Sequence, residues 1–71
     1  MNMPVTTAIH QAFCDNVKRR RLVLDLTQAD VAKRLGIGQS RYAKIERGES
    51  EPTIGVIQRV ADALETSPKK L

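Results

Sequence analysis

The chain has 71 residues, enough for one domain and close to the lower limit for a self-supporting core. Only 3% of residues are aromatic, Phe13 and Tyr42, so the core must be aliphatic, and the stacking platforms used on single-stranded nucleic acid are disfavoured. The net charge is +4 and unevenly spread: residues 1–26 carry +2, residues 27–47 carry +3 and residues 48–71 carry −1. A positive centre suits a polyanion, although a merely solvated basic surface has the same composition.

A single cysteine, Cys14, rules out an internal disulfide and fits a reducing cytoplasm. No apolar run approaches the roughly 20 residues that span a bilayer. The opening residues lack the charged and apolar regions of a signal peptide. His10 and Cys14 are one helical turn apart, but there is no third soft ligand, so no metal site is expected. The sequence has no glycine-rich phosphate loop, no paired catalytic carboxylates and no cofactor motif. Neither an enzyme nor a bound cofactor is expected.

Residues 1–6 read as a lead-in, with one domain over 7–71. Thr7 is a candidate cap for a first helix running to about Leu24. Its apolar face is Ile9, Phe13 and Val17 at four-residue spacing. The run Lys18-Arg19-Arg20-Arg21 falls in its last turns, where cations complement the dipole. Those cations read equally as a phosphate path or as a solvated helix end. Asp25 ends the helix, since Asp tolerates left-handed backbone.

Thr27 then caps a second helix, about 28–35, with Asp30 completing a near capping box. Val31, Ala32 and Leu35 form its inner face, and Lys33 and Arg34 point to solvent. Gly36 stops it, Ile37 plugs the junction, and Gly38 opens a third helix, about 39–47. That helix has a narrow apolar stripe, Tyr42 and Ile45. Its other face carries Gln39, Ser40, Arg41, Lys44 and Arg47. Gly48 ends it, and the Glu49–Pro52 stretch is a polar loop. Thr53 caps a fourth helix, about 54–65, with Ile54, Ile57, Val60, Ala61 and Leu64 inward. Ser67-Pro68 signals a fifth start. The pattern predicts an all-α bundle of four to five short helices. At its centre two helices meet at a tight glycine turn, the layout of a helix-turn-helix.

Arg21, Leu26-Thr27-Gln28, Val31-Ala32, Leu35-Gly36, Ile45-Glu46-Arg47-Gly48, Pro52-Thr53 and Ala61-Asp62-Ala63-Leu64 together form a specific pattern. Over about residues 12–71 the chain resembles the lambda-repressor-like helix-turn-helix domains of the Cro and C1 type, the XRE family. The resemblance implies a transcriptional regulator of bacterial or phage type that binds double-stranded DNA as a homodimer. By the same resemblance, Gln39, Ser40 and Lys44 fall where base edges are read, and Arg41 where base or phosphate is met. Gln28 falls at a phosphate contact, and Arg21 and Glu46 on a structural ion pair joining the first and third helices. Three positions depart from the family pattern. Gly38 replaces Ser or Thr, Arg20 replaces an aliphatic residue and adds a surface charge, and Asp25 replaces Gly.

The residue chemistry agrees with these roles. A Gln amide matches adenine N6 and N7, which suits Gln39; Lys44 can reach guanine O6 or N7. The alternative is that these residues are only the polar face of an amphipathic helix. Arg19 and Arg47 are further candidates for phosphate contact. The leading expectation is a repressor binding a palindromic operator. The other is an antitoxin-type module whose acidic surface, Glu49, Glu51, Asp62 and Glu65, engages a protein partner.

Overall fold

The computed structural model describes residues 8–71. The lead-in over 1–6 and the Thr7 cap therefore lie outside the described residues. Four α-helices follow one another: α1 (Ala8–Val23), α2 (Gln28–Leu35), α3 (Gln39–Arg47) and α4 (Ile54–Ala63). A short 3-10 turn follows at Pro68–Lys70, where the sequence predicts a fifth helix. The described residues contain no strand.

Each helix starts and stops for a local reason. The Thr27 side chain accepts from the Asp30 N–H at 3.0 Å, and Asp30 accepts from the Thr27 N–H at 2.9 Å, a complete capping box. Thr53 caps α4 through the Val56 N–H at 3.1 Å. Gly38 starts α3 without a side-chain cap.

All four helices end in one pattern. A residue with left-handed backbone is followed by an N–H that reaches back five residues. These bonds run from Leu26 to Arg21, Ile37 to Ala32, Glu49 to Lys44 and Thr66 to Ala61, at 2.9–3.1 Å. The left-handed residues are Asp25, Gly36, Gly48 and Glu65. Asp25 is predicted; Glu65 is not, and it closes α4 two residues before the expected end.

The buried cluster is mainly aliphatic with two aromatic rings: Val17, Val31, Leu35, Ile45, Val60 and Leu64 join Tyr42 and Phe13 in it. α3 packs on both α1 and α2, and α4 packs on α2. Ile37 sits half-buried against this cluster, as expected of a plug at the junction.

Two apolar residues expected inside are outside. Ile9 is 84% exposed and Ile54 is 87% exposed. At about 100° per residue, four-residue spacing drifts by about 40° each step. Ile9 thus falls about 80° from Val17, and Ile54, ten residues before Leu64 in a run of three-residue spacings that slips the other way, about 80° from it, each at the margin of its buried arc. Ile9 instead lines the rim of an open groove of about 500 Å³ with Pro52, Ile57 and Leu71.

Candidate nucleic-acid interface

α3 presents Gln39, Ser40, Arg41 and Lys44 to solvent, while Tyr42, Ala43, Ile45 and Glu46 are buried. The exposed four make no side-chain hydrogen bond or ion pair among the described residues. The other arginines are engaged. Arg20 gives Nε and Nη2 to the carbonyls of Leu64 (2.9 Å) and Glu65 (3.0 Å). Arg34 gives Nη1 to the Ala63 carbonyl (2.8 Å) and to Glu65 Oε2 (3.0 Å). Arg59 donates to the Leu35 carbonyl, Arg19 to Asn16 Oδ1 (3.0 Å) and Arg47 to Glu49 (2.7 Å). Arg21 is tied to Glu46. Arg41 is therefore the one arginine of the described residues with no partner in the protein.

This sorting corrects two expectations. Arg20 is not an added surface charge. It lies half-buried and supplies donors to the open carbonyl end of α4. Arg34 is not simply solvated, since it holds the same helix end from α2. Arg47 and Arg19, candidates for phosphate, remain exposed but carry intramolecular partners. The Arg47–Glu49 pair raises the Arg47 pKa and lowers that of Glu49 through their hydrogen bond. Such an exposed pair has little net stability to lose if a phosphate displaces the carboxylate.

Behind α3 lies a buried polar cluster. Glu46 Oε2 accepts from Arg21 Nε at 2.6 Å and from the Tyr42 hydroxyl at 2.5 Å; Oε1 accepts from Arg21 Nη2 at 3.2 Å and Gln28 Nε2 at 3.1 Å. Arg21 Nη1 also donates to the Leu26 carbonyl at 2.9 Å, so one guanidinium joins α1, the loop before α2 and α3. The Arg21 and Glu46 side chains are only 10% and 3% exposed.

Burial opposes the carboxylate charge, but the bonds from Arg21, Tyr42 and Gln28 outweigh it and hold the Glu46 pKa below its ordinary value. Burial, and then the hydrogen bond to Glu46, push the Tyr42 phenol well above its usual range. The Glu46 bond raises Arg21. Four donors on one carboxylate leave no unpaired buried charge, the condition under which a buried ion pair is tolerated.

The sequence reading missed Tyr42 as a partner of Glu46, although the four-residue spacing on one helix was a visible signal. It also missed that Gln28, half-buried, gives one amide hydrogen to the same carboxylate. Cys14 is buried, donates to the Ile45 carbonyl at 3.3 Å, and has its pKa raised mainly by burial. No helix of the described residues is long and apolar enough to cross a membrane.

Two short helices joined at a left-handed glycine, with the second helix's polar face open and a buried ion pair tying that helix to α1, define a helix-turn-helix domain. Residues 17–71 match the family model described as "Helix-turn-helix", and the chain belongs to that family. It is 37% identical over 57 residues to the cryptic phage CTXphi transcriptional repressor RstR of Vibrio cholerae serotype O1. That match covers 80% of this chain and 51% of the repressor, so the chain spans about half the length of this curated relative.

Among solved structures it resembles the restriction-modification controller protein C.AhdI from Aeromonas hydrophila. The TM-score is 0.82 at 25% identity, over 90% of this chain and 97% of that one. It also resembles a helix-turn-helix family transcriptional regulator from Vibrio cholerae. There the TM-score is 0.78 at 30% identity, over 86% of this chain and 34% of that one.

Proposed function

We propose that this chain is a DNA-binding transcriptional regulator, a cytoplasmic repressor that binds a palindromic operator as a homodimer, with α3 in the major groove. The observation that carries this reading is the division of the polar side chains. Six of the seven arginines have intramolecular partners, whereas Gln39, Ser40, Arg41 and Lys44 stand exposed and unengaged on one helix. A helix whose polar groups have no partner in the protein is suited to find them on base edges and phosphates.

In this reading Gln39 takes an adenine and Lys44 a guanine, Ser40 adapts to either, and Arg41 meets base or phosphate. Gln28 at the start of α2, with Arg19 and Arg47 at the flanks, contacts phosphate. Two copies set their reading helices about 34 Å apart, one turn of DNA. Occupying a promoter is enough to repress it.

The test is selection of binding sites from a random duplex pool. The expected result is a two-fold symmetric motif whose half-sites are about one DNA turn apart. Salt-sensitive binding with no enriched motif would overturn base reading by α3. An enriched but asymmetric single site would overturn the dimer alone.

A further inference from the structure

We propose that Glu46 is a positioning residue for DNA binding: it holds one amide hydrogen of Gln28 and so fixes the other for a phosphate oxygen. The inference rests on the reading of Gln28 as a phosphate contact and adds what makes that contact competent.

A glutamine side chain has a donor end and an acceptor end, and rotation by 180° exchanges them. Either end fits most surroundings equally well, so an exposed glutamine samples both. Gln28 does not have that freedom. The atom facing its amide, Glu46 Oε1, belongs to an ionised carboxylate that accepts only. Turning Gln28 over would set its carbonyl oxygen against that carboxylate, oxygen against oxygen with a full negative charge on one side. The donor end is thereby locked toward Glu46 at 3.1 Å.

Nε2 carries two hydrogens, and Glu46 uses one. The other remains on a half-buried side chain at the first residue of α2, the helix end where a phosphate is favoured.

Glu46 is itself immobile. Arg21 grips both its oxygens, and Tyr42 holds Oε2 at 2.5 Å. The order is transmitted from a buried, four-donor carboxylate to a side chain at the surface. A side chain ordered before binding avoids an ordering cost at the interface, here corresponding to about a 2- to 10-fold gain in affinity. The arrangement also links the two helices of the motif. α2 supplies the phosphate contact and α3 the group that orients it.

The experiment uses the selected duplex with one backbone phosphate at a time replaced by a neutral methylphosphonate. Wild-type protein loses affinity at several positions. Gln28→Ala is expected to become indifferent to one of them, which identifies its phosphate. If no position behaves so, Gln28 meets no phosphate, and the reading and the inference fall together.

With that phosphate identified, Glu46→Gln is expected to lose about 2- to 10-fold in sensitivity at that position alone. A purely structural role weakens all positions evenly, and that result would overturn the positioning role while leaving the phosphate contact intact. The wild-type protein supplies an answer that does not depend on the variant folding. In NMR of the free protein, one Gln28 Nε2 hydrogen is expected to be protected from exchange and the other not. DNA should move only the unprotected one. Equal exchange of the two hydrogens, or movement of the protected hydrogen on binding, would overturn the inference.

Discussion

The Tyr42 hydroxyl donates to Oε2 of Glu46 at 2.5 Å, one helical turn further along α3, inside the same pocket that Arg21 enters from α1. The two residues contribute differently. Tyr42→Phe keeps the ring in the core and removes one hydrogen bond to a charge, worth about 1.5–3 kcal/mol. Glu46→Ala removes the acceptor of four bonds and strands the Arg21 guanidinium in a site where its side chain is 10% exposed. Breaking a buried pair in this way costs about 3–5 kcal/mol. Urea unfolding of the two variants checks the order. Equal losses would mean that the ion pair adds nothing beyond the phenol bond.

Glu46 and Tyr42 are expected to tilt stability at opposite ends of the pH range. The folded Glu46 pKa lies below its ordinary value of 4.5. As pH falls past that value, the unfolded chain takes up a proton that the folded one resists, so unfolding is favoured. The contribution is whole above about pH 5 and is lost as pH drops through the folded value. Tyr42 works with the opposite sign. Its folded pKa is raised above the ordinary 10.0. Its contribution is whole below about pH 10, and above that the unfolded phenol ionises first. Denaturant midpoints should be level from about pH 5 to about pH 9, where the Cys14 thiol, its pKa raised by burial in the folded chain, begins to ionise in the unfolded one before the phenol does. A fall between about pH 6 and 8 would assign the dominant titration to another group.

Much of this architecture is legible in the residues, and the parts that are not share a cause. Thr27, Asp30, Gly36, Gly48 and Thr53 act within one helical turn, so their neighbours in sequence are their neighbours in space. Glu65 has no such local signal. Its left-handed backbone is held by Arg20 from α1, which bonds its carbonyl, and by Arg34 from α2, which bonds its carboxylate. Ile9 and Ile54 misled because four-residue and three-residue spacings each slip off the buried face over two or more turns. The exposed face of α3 follows from helical period. That Gln28 meets Glu46 could not be read the same way, because that hydrogen bond is made between helices.

The division between bracing and free cations predicts two separate phenotypes. Arg34→Ala removes a bond to the Ala63 carbonyl and a pair with Glu65, side chains 40% and 59% exposed. It is expected to cost about 1 kcal/mol of stability and to leave DNA affinity unchanged. Arg41→Ala and Lys44→Ala should do the reverse, with unchanged melting and weaker binding. If the removed side chain met a phosphate, the salt slope falls by about 1, evenly across sequences. If it met a base, the cost is about 1–3 kcal/mol at one position of the site. Titrations at several salt concentrations, on the selected site and on single-base variants, separate the cases. Arg34→Ala weakening DNA binding at full stability would show that its bonds in the free protein open on the operator.

Gly38 offers the sharpest contrast between stability and function. Its backbone, φ −73° and ψ 152°, suits any residue, and a Cβ there meets nothing within 4 Å. It nonetheless opens α3 with no side-chain cap. Gly38→Ser supplies an oxygen for an N–H of the first turn and narrows the unfolded ensemble. The expected gain is about 0.5–1 kcal/mol, a rise in Tm of a few degrees, about 2–8 °C. Gly36→Ser is the control. It also meets open space, but its φ of +74° penalises any side chain, so it should lose about 1–2 kcal/mol. Melting curves of the two variants should move in opposite directions. Binding of the stabilised Gly38→Ser protein then decides why a glycine stands at the start of α3. Unchanged or tighter binding means that the position is merely uncapped. Weaker binding by a more stable protein means that the space beside Gly38 is kept for the close approach of the DNA backbone.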